Sequence, residues 1–500
     1  MLLPAGPKSI EEVFEWASFN QSQLQVNPLW ARNLRDKFDG GIHLRTHCSG
    51  IDFPTLALYA AHRAQDRRDS FEECVMTSHA AEQDPGARGI LLQFAYGQAD
   101  HVFGNMLDRL PDEERAEFLK LQPKSTASTP GRIDANNKML QYLANNSHRC
   151  FKMMLGESHC YKCGKACRVY QRFIDKAAYR RGARKFYAVR RPPGESYCHE
   201  LWIFGQPCQD ESVRGKRMRT GGDKLLVFHI WVVEVRKYKP HSWLHEITGT
   251  YNAVMLHDCL SDLYDISSVL LSPVELGLPS SRTRHYSWGN LREHFVTLAR
   301  LPSLKEKFGR SCDLAGDVYL GGAPLDAAHE QHNSIATRRH FAFKPEDFRS
   351  PIAPECVLSP STVTRMKEYC KLFDKVKSLD GVACCDLEHN VDHAHFSRVM
   401  PCLLTHGQVG VFNQTHSASG IQTSMPRIRA PNGLEFRLLH PHDLFLVMGS
   451  PVHGVARWSA PYAHIIGKLP YPVCKAVTGN GMHVGAVGAI IQFGLAMVAW

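Results

Sequence analysis

The sequence predicts an α/β fold, a mostly parallel sheet interleaved with helices, accompanied by a small irregular domain. Three observations carry that expectation. Ile42-His43-Leu44-Arg45-Thr46-His47-Cys48 alternates like a strand and runs through Ser49-Gly50-Ile51-Asp52 into a Leu- and Ala-rich helical stretch from Pro54 to about Arg63. A second strand fits Cys74 to His79, ending at Glu82, and a third fits His101-Val102-Phe103-Gly104. The rhythm resumes at Glu200 to Phe204, at Leu225 to Val235 and at Ser242-Trp243-Leu244. Strands alternating with helices imply a parallel sheet.

Around that alternation the chain divides in order. Residues 1–40 read as a helical extension, with Ile10, Val13, Phe14 and Trp16 spaced for one face. Residues 41–289 form the α/β domain, interrupted at about 111–198 by a charged insertion that is Ser/Thr-rich near Ser125 to Pro130 and basic from Arg168 to Arg191. Residues 290–432 lose the pattern and carry many Pro, His and Cys, as a separate small domain would. Residues 433–500 return to helix, first at Pro441 to Met448 and then at Met482 to Val498. The uncharged run Val484 to Trp500 is broken by Gly485, Gly488 and Gly494, which favours a buried helix closing the sheet over a membrane tail.

Bulk properties narrow the function classes. Five hundred residues exceed what one core usually accommodates, which agrees with more than one domain. A formal charge of +10 suits a polyanionic partner without requiring one. The 16 cysteines are irregularly spaced, and the opening apolar stretch is only Met1-Leu2-Leu3-Pro4, so an intracellular chain with reduced thiols is expected.

Five groups of residues carry candidate chemistry. A strand followed by Ser49-Gly50-Ile51 and a helix lets backbone approach a nucleotide-like ligand at free helix N–H groups, and the acid Glu82 is placed to accept from a ribose. The same turn is also common as plain α/β architecture. Cys208 follows Pro207 at the end of an apolar strand, in Phe204-Gly205-Gln206-Pro207-Cys208-Gln209. A thiol on such a fixed turn, near helix N–H groups and arginine, becomes a nucleophile. In the insertion, Cys160, Cys163 and Cys167 have zinc-like spacing beside His159; Cys150 or Cys198-His199 would complete four ligands, and the alternative is a loop of reduced thiols. Cys384-Cys385 with His389, His393 and His395 is a weaker cluster in a chain of 27 histidines, and Arg180 to Lys185 is a solvated face or a phosphate contact.

Gln206-Pro207-Cys208-Gln209 resembles the Pro-Cys-Gln motif of the cytosine-5 DNA methyltransferases, and the neighbouring segments follow that family's order. Cys48 to Ile51 is similar to its cofactor turn, Glu82 to its ribose-binding acid, and Val102-Phe103-Gly104-Asn105 to the segment that meets the adenine. Glu246 stands in the Glu-Asn-Val position, and Gly277 to Arg284 resembles Gly-x-Pro-Gln-x-Arg-x-Arg. Pro401 to Gly407, Phe436 to Gly449 and Gly479-Asn480-Gly481 look like the segments that close the family's pattern. The resemblance spans roughly residues 42–500 and implies a Rossmann-like class I methyltransferase fold, with 290–432 as target-recognition domain.

The resemblance further implies S-adenosyl-L-methionine as cofactor, held by Ser49, Gly50, Ile51, Glu82, Asn105, Pro207 and Asn480. Cys208 is the implied nucleophile toward a flipped cytosine, Glu246 the proton donor, and Arg282 and Arg284 the groups that clamp base and phosphate. Duplex DNA is the implied partner and the nucleus the implied location, with no membrane. RNA such as tRNA, in the cytoplasm, is the alternative within the class, and an inactive DNA-binding scaffold the alternative outside it. The sequence departs from the pattern at Cys48, where the family has Phe, and at Asp52, where it has a second glycine. Further departures are Asn105 for Asp, Ile247 after the acid, and Ser280-Ser281 before the arginines.

Overall fold

The computed structural model describes residues 3–48, 50–93, 99–110, 112–121, 128–145, 157–169, 198–207, 225–251, 253–320, 325–341, 352–376, 383–388, 397–405, 407–412, 428–429, 435–452, 454–460 and 462–499. Ser49, Cys150, Cys208, the basic run at 180–185, and His389, His393 and His395 lie outside them. The chain divides into two compact units. One comprises Ala17–Leu271, Thr283–Phe308 and Val487–Trp500; the other comprises Met1–Trp16, Ser272–Arg282 and Gly309–Ala486.

Among the described residues the first unit carries a nine-stranded sheet. Its strands are β1 (Ile42–His47), β2 (Val75–Ala81), β3 (His101–Phe103), β4 (Glu157–Cys160), β5 (Lys165–Arg168), β6 (His199–Gly205), β7 (Ser242–Thr248), β8 (Tyr264–Leu271) and β9 (Arg284–Leu291). They lie in the order β5-β4-β3-β2-β1-β6-β7-β9-β8. The run from β3 to β7 is parallel, whereas β9 is antiparallel to both β7 and β8. This is the Rossmann-like, mostly parallel arrangement expected. The insertion contributes helices Asp112–Leu121 and Thr129–Asn145, and its hairpin β4–β5 extends the sheet antiparallel to β3.

Every residue of β1 and β2 is buried, as parallel strands flanked on both faces should be. That places charged groups in the interior, where each needs a partner. Arg45 Nε lies 3.5 Å from Glu200, and Arg109 Nη1 lies 2.6 Å from Glu234 of the helix Leu225–Tyr238. The same Arg109 nitrogen donates to His47 Nδ1 at 3.2 Å. Burial, with Arg109 and then Arg45 nearby, pushes the His47 pKa well below the ordinary imidazole range, so the ring accepts as a neutral base. From the same helix, Trp231 stacks on Phe204 at 4.9 Å and meets Trp243 edge-on at 5.5 Å. Trp243 fits only because residue 289 of β9 is glycine, where a Cβ would stand 2.2 Å from its indole.

The apolar C-terminal run is a buried helix, Val484–Ala496, as anticipated. Gly494 brings it against β9, since a Cβ there would stand 2.5 Å from the Trp288 ring. Asn33 caps its end by donating to the Ala496 carbonyl at 3.0 Å, and Asn20 donates to the Gln492 side chain at 3.0 Å. No helix among the described residues is long and apolar enough to cross a membrane. The N-terminal stretch forms three helices, Ile10–Phe14, Trp16–Gln25 and Pro28–Gly40.

The second unit has an antiparallel sheet, with Ala383–Asp386, Val409–Phe412, Glu435–Leu438 and Ile428–Arg429 as neighbours in that order. Met366 and Tyr369 of the helix Pro360–Val376 join its core with Phe412, Phe436 and Leu438. Residues 290–432 therefore hold more regular structure than their pattern suggests. Strands of two to four residues are too short to display a period, even though most of their residues are buried. Arg437 and Asp443 form a fully buried ion pair at 2.5 Å, and Asp443 also accepts from the His440 backbone at 2.8 Å.

Candidate active site

The parallel strands of the first unit end in register. His47 of β1 is level with Ala81 of β2 and with Phe204 of β6; Ala81 is level with Phe103 of β3, and Phe204 with His245 of β7. The next residue on each strand is therefore Cys48, Glu82, Gly104, Gly205 or Glu246. Five segments singled out from the sequence meet at one carboxyl edge of the sheet, where open α/β sheets bind their ligands. At a strand spacing of about 4.8 Å, the three gaps from β2 to β7 set Glu82 and Glu246 about 14 Å apart along that edge.

The turn after β1 is built from left-handed residues: Cys48 at φ 51°, Gly50 at φ 58° and Asp52 at φ 65°. Gly50 donates its backbone N–H to Glu82 at 2.8 Å, and the other Glu82 oxygen accepts from Asp84 N at 2.9 Å. Burial raises the Glu82 pKa, although these backbone donors oppose it. A carboxylate tied to the turn but keeping further lone pairs fits the diol of a ribose. Asp52, standing where a glycine is expected, does not spoil that fit. Asp tolerates the left-handed region, and its side chain is buried, accepting from the Thr55 hydroxyl at 2.5 Å.

Burial pushes the Asp52 carboxyl up to about 6, against hydrogen bonds from Thr55 and Thr46. The folded state then binds this proton more tightly than the unfolded chain, so the group costs stability as pH rises from about 4 to about 6, and the loss persists above. Asp52→Asn should thus raise the unfolding free energy by about 3 kcal/mol at neutral pH. Paired denaturation curves check it, because the gain over wild type should vanish below about pH 4.

At the β6 and β7 ends, Gln206 donates its backbone N–H to the Glu246 carbonyl at 2.9 Å, and its side-chain oxygen accepts from His245 Nε2 at 2.7 Å. Burial lowers the His245 pKa to about 3, so the ring is neutral. These bonds fix the departure of the chain toward Pro207, one residue before Cys208. The Glu246 side chain is buried, with Arg284 Nε at 3.2 Å. Arg284 opens β9 opposite Thr248, two residues beyond Glu246, which explains the pairing.

Arg282 is placed differently. It is buried in the second unit, where its guanidinium donates to the carbonyls of Leu403 at 3.2 Å, Gly479 at 3.0 Å and Gly481 at 2.6 Å. It ties three motif-bearing segments of that unit together, and contact with a base is not among the roles its bonds express. Gly479 is required there, since a Cβ would stand 2.4 Å from Thr405 N. Asn480 ends the helix Tyr471–Asn480 with its side chain exposed. Asn105 caps the short helix Met106–Arg109, its side chain accepting from Leu107 N at 3.1 Å.

Cys160, Cys163 and Cys167 come together, and His101 joins them; their ligand atoms all lie within 4.8 Å of one another. His101 does not stand out in the sequence as a ligand, being one histidine among 27 and 59 residues from Cys160. Its only signal was its place at the start of β3. Cys384 and Cys385 are buried strand residues, and burial raises both thiols.

No family model matches the sequence, and no curated protein matches it. Solved structures that resemble the chain include the Dnmt2 methyltransferase of S. pombe, at 12% identity and a TM-score of 0.42, covering 90% of this chain and 97% of that one. The Entamoeba histolytica methyltransferase EhMeth is similar at 9% identity and a TM-score of 0.39, covering 91% and 98%. A Spodoptera frugiperda DNMT2 variant is similar at 8% identity and a TM-score of 0.40, covering 91% and 99%.

Proposed function

We propose that this chain is an S-adenosyl-L-methionine-dependent DNA cytosine-5 methyltransferase. The observation that carries the reading is the row at the sheet edge: a glycine turn bonded to Glu82 follows β1, the direct neighbour of the β6 end that leads to Pro207-Cys208, with Glu246 and Arg284 alongside. Gly50, Ile51 and Glu82 would hold the cofactor's nucleoside, with Ser49, Asn105, Pro207 and Asn480 as further expected contacts. When bound, S-adenosylmethionine supplies an electrophilic methyl group.

Carbon 5 of cytosine is a poor nucleophile until carbon 6 is attacked. The Cys208 thiolate would form a bond to carbon 6 and move the electrons of the 5,6 double bond to carbon 5, which would take the methyl group as its bond to the sulfonium sulfur breaks and S-adenosylhomocysteine leaves. Glu246 in its acid form donates to N3 and stabilises the charge that develops on the ring. Arg284, whose Nε lies 3.2 Å from the same carboxylate, is placed to meet the carbonyl oxygen of the base. A water molecule acting as base then takes the carbon 5 proton, the freed electrons re-form the 5,6 double bond and expel Cys208 as thiolate, and N3 returns its proton to Glu246. Arg282 acts as a structural tie, and Arg284 alone serves the base. Residues 290–432 are the proposed target-recognition domain, and a DNA substrate implies a nuclear location.

Transfer of labelled methyl to duplex DNA and to tRNA, measured in parallel, tests the substrate. Labelled DNA with blank tRNA is expected. Labelled tRNA alone would move the reaction to RNA, and no transfer to either would contradict the enzyme reading.

A further inference from the structure

We infer that His101, Cys160, Cys163 and Cys167 bind one structural zinc ion that staples the β4–β5 hairpin to the edge of the sheet. His101 Nδ1 lies 3.5 Å from Cys163 Sγ and 3.7 Å from Cys160 Sγ. Tetrahedral zinc, with bonds of about 2.3 Å to sulfur and 2.05 Å to nitrogen, sets neighbouring sulfur and nitrogen about 3.6 Å apart. The two distances fall on that edge. Three thiolates and one imidazole are a closed structural donor set, leaving no position for a substrate. A four-thiolate iron–sulfur cluster does not match it.

The backbone is arranged for thiolate ligands. Cys160 Sγ accepts the N–H of Cys163 at 3.4 Å, and Gly164 donates to the Cys160 carbonyl at 2.9 Å. Gly164 turns the chain at φ +66°, a conformation that favours glycine. Cys167 returns on β5 with its side chain buried. Sequence spacing supplies three of these ligands, and the fold brings the fourth from another strand.

A hairpin with two strands of four residues is marginal by itself. Its ladder to β3 consists of the pair Phe103–Cys160, with Tyr161 N donating to the Val102 carbonyl at 2.8 Å. Zinc joining His101 of β3 to three hairpin cysteines supplies the missing constraint. It also fixes what the hairpin carries. Lys162 Nζ donates to the Ala99 carbonyl at 2.8 Å, and the Tyr161 ring lies under Arg88 at 4.0 Å. The same ring sits against Gly104, where a Cβ would approach it to 3.0 Å. Under the proposed methyltransferase reading, on which this last consequence rests, the metal would set one wall of the adenine end of the cofactor site.

The test is the metal content of the full chain, purified reduced and without chelator. One zinc per chain is expected by mass spectrometry, falling to about a tenth in Cys163→Ser and in His101→Gln. Wild-type protein that stays nearly metal-free after incubation with zinc would overturn the inference, as would both variants keeping wild-type zinc. Should the variants not fold, chelated wild-type protein titrated with cobalt decides. Intense visible bands of tetrahedral cobalt, with a thiolate-to-cobalt charge-transfer band, support the site; the faint spectrum of octahedral cobalt contradicts it. These readouts count metal, so their failure leaves the methyl-transfer reading standing, and failed methyl transfer leaves the zinc site standing.

Discussion

Glu246→Gln is expected to lower kcat/KM for methyl transfer by about 10² to 10⁴, the range of a positioned general acid. Glutamine matches glutamate in shape, so the β7 ladder and the Gln206 bond to the residue 246 carbonyl persist. The variant loses the ability to pass a proton to N3 of the base, and it loses the partner of Arg284, whose Nε lies 3.2 Å from the carboxylate. Single-turnover kinetics on a duplex substrate checks it, with cofactor binding measured separately and expected to change little. A rate within about threefold of wild type would remove Glu246 from the proton-transfer role.

Asp443→Ala is expected to cost about 3–5 kcal/mol of the stability of the second unit. Asp443 is fully buried, holds Arg437 and accepts from the His440 backbone, so its loss leaves a buried guanidinium and a buried N–H without that acceptor. Urea denaturation of the full chain measures the effect. Replacing both partners together, as Arg437→Met with Asp443→Leu, should recover most of the loss, because the apolar pair leaves no charge unpaired. A single variant within about 1 kcal/mol of wild type would mean that the ion pair contributes little net stability.

What was legible in the sequence were the long, periodic elements and the residues at their ends. The strand before Gly50, the helix after Asp52 and the apolar strand before Gln206 announce themselves by length and composition, and the fold sets their ends in one row. Burial and pairing across sequence distance were not legible. Arg282 and Arg284 are two residues apart and look equivalent in the chain. One spends its guanidinium on three carbonyls, while the other lies beside Glu246. His101 carried no local sign that hairpin cysteines would reach it. Asp52 read as a flaw in a glycine turn, yet the structure absorbs it by burying the side chain against Thr55.

The measurement closest to the central claim is covalent trapping on duplex DNA containing 5-fluorocytosine, with S-adenosylmethionine present. Fluorine at carbon 5 cannot leave as a proton does, so an enzyme that adds a thiolate to carbon 6 remains attached after methylation. A denaturation-resistant adduct with wild-type protein is expected, lost in Cys208→Ser and with the modified peptide containing residue 208. Retained binding of the DNA without any adduct would contradict the catalytic account and favour a DNA-binding scaffold.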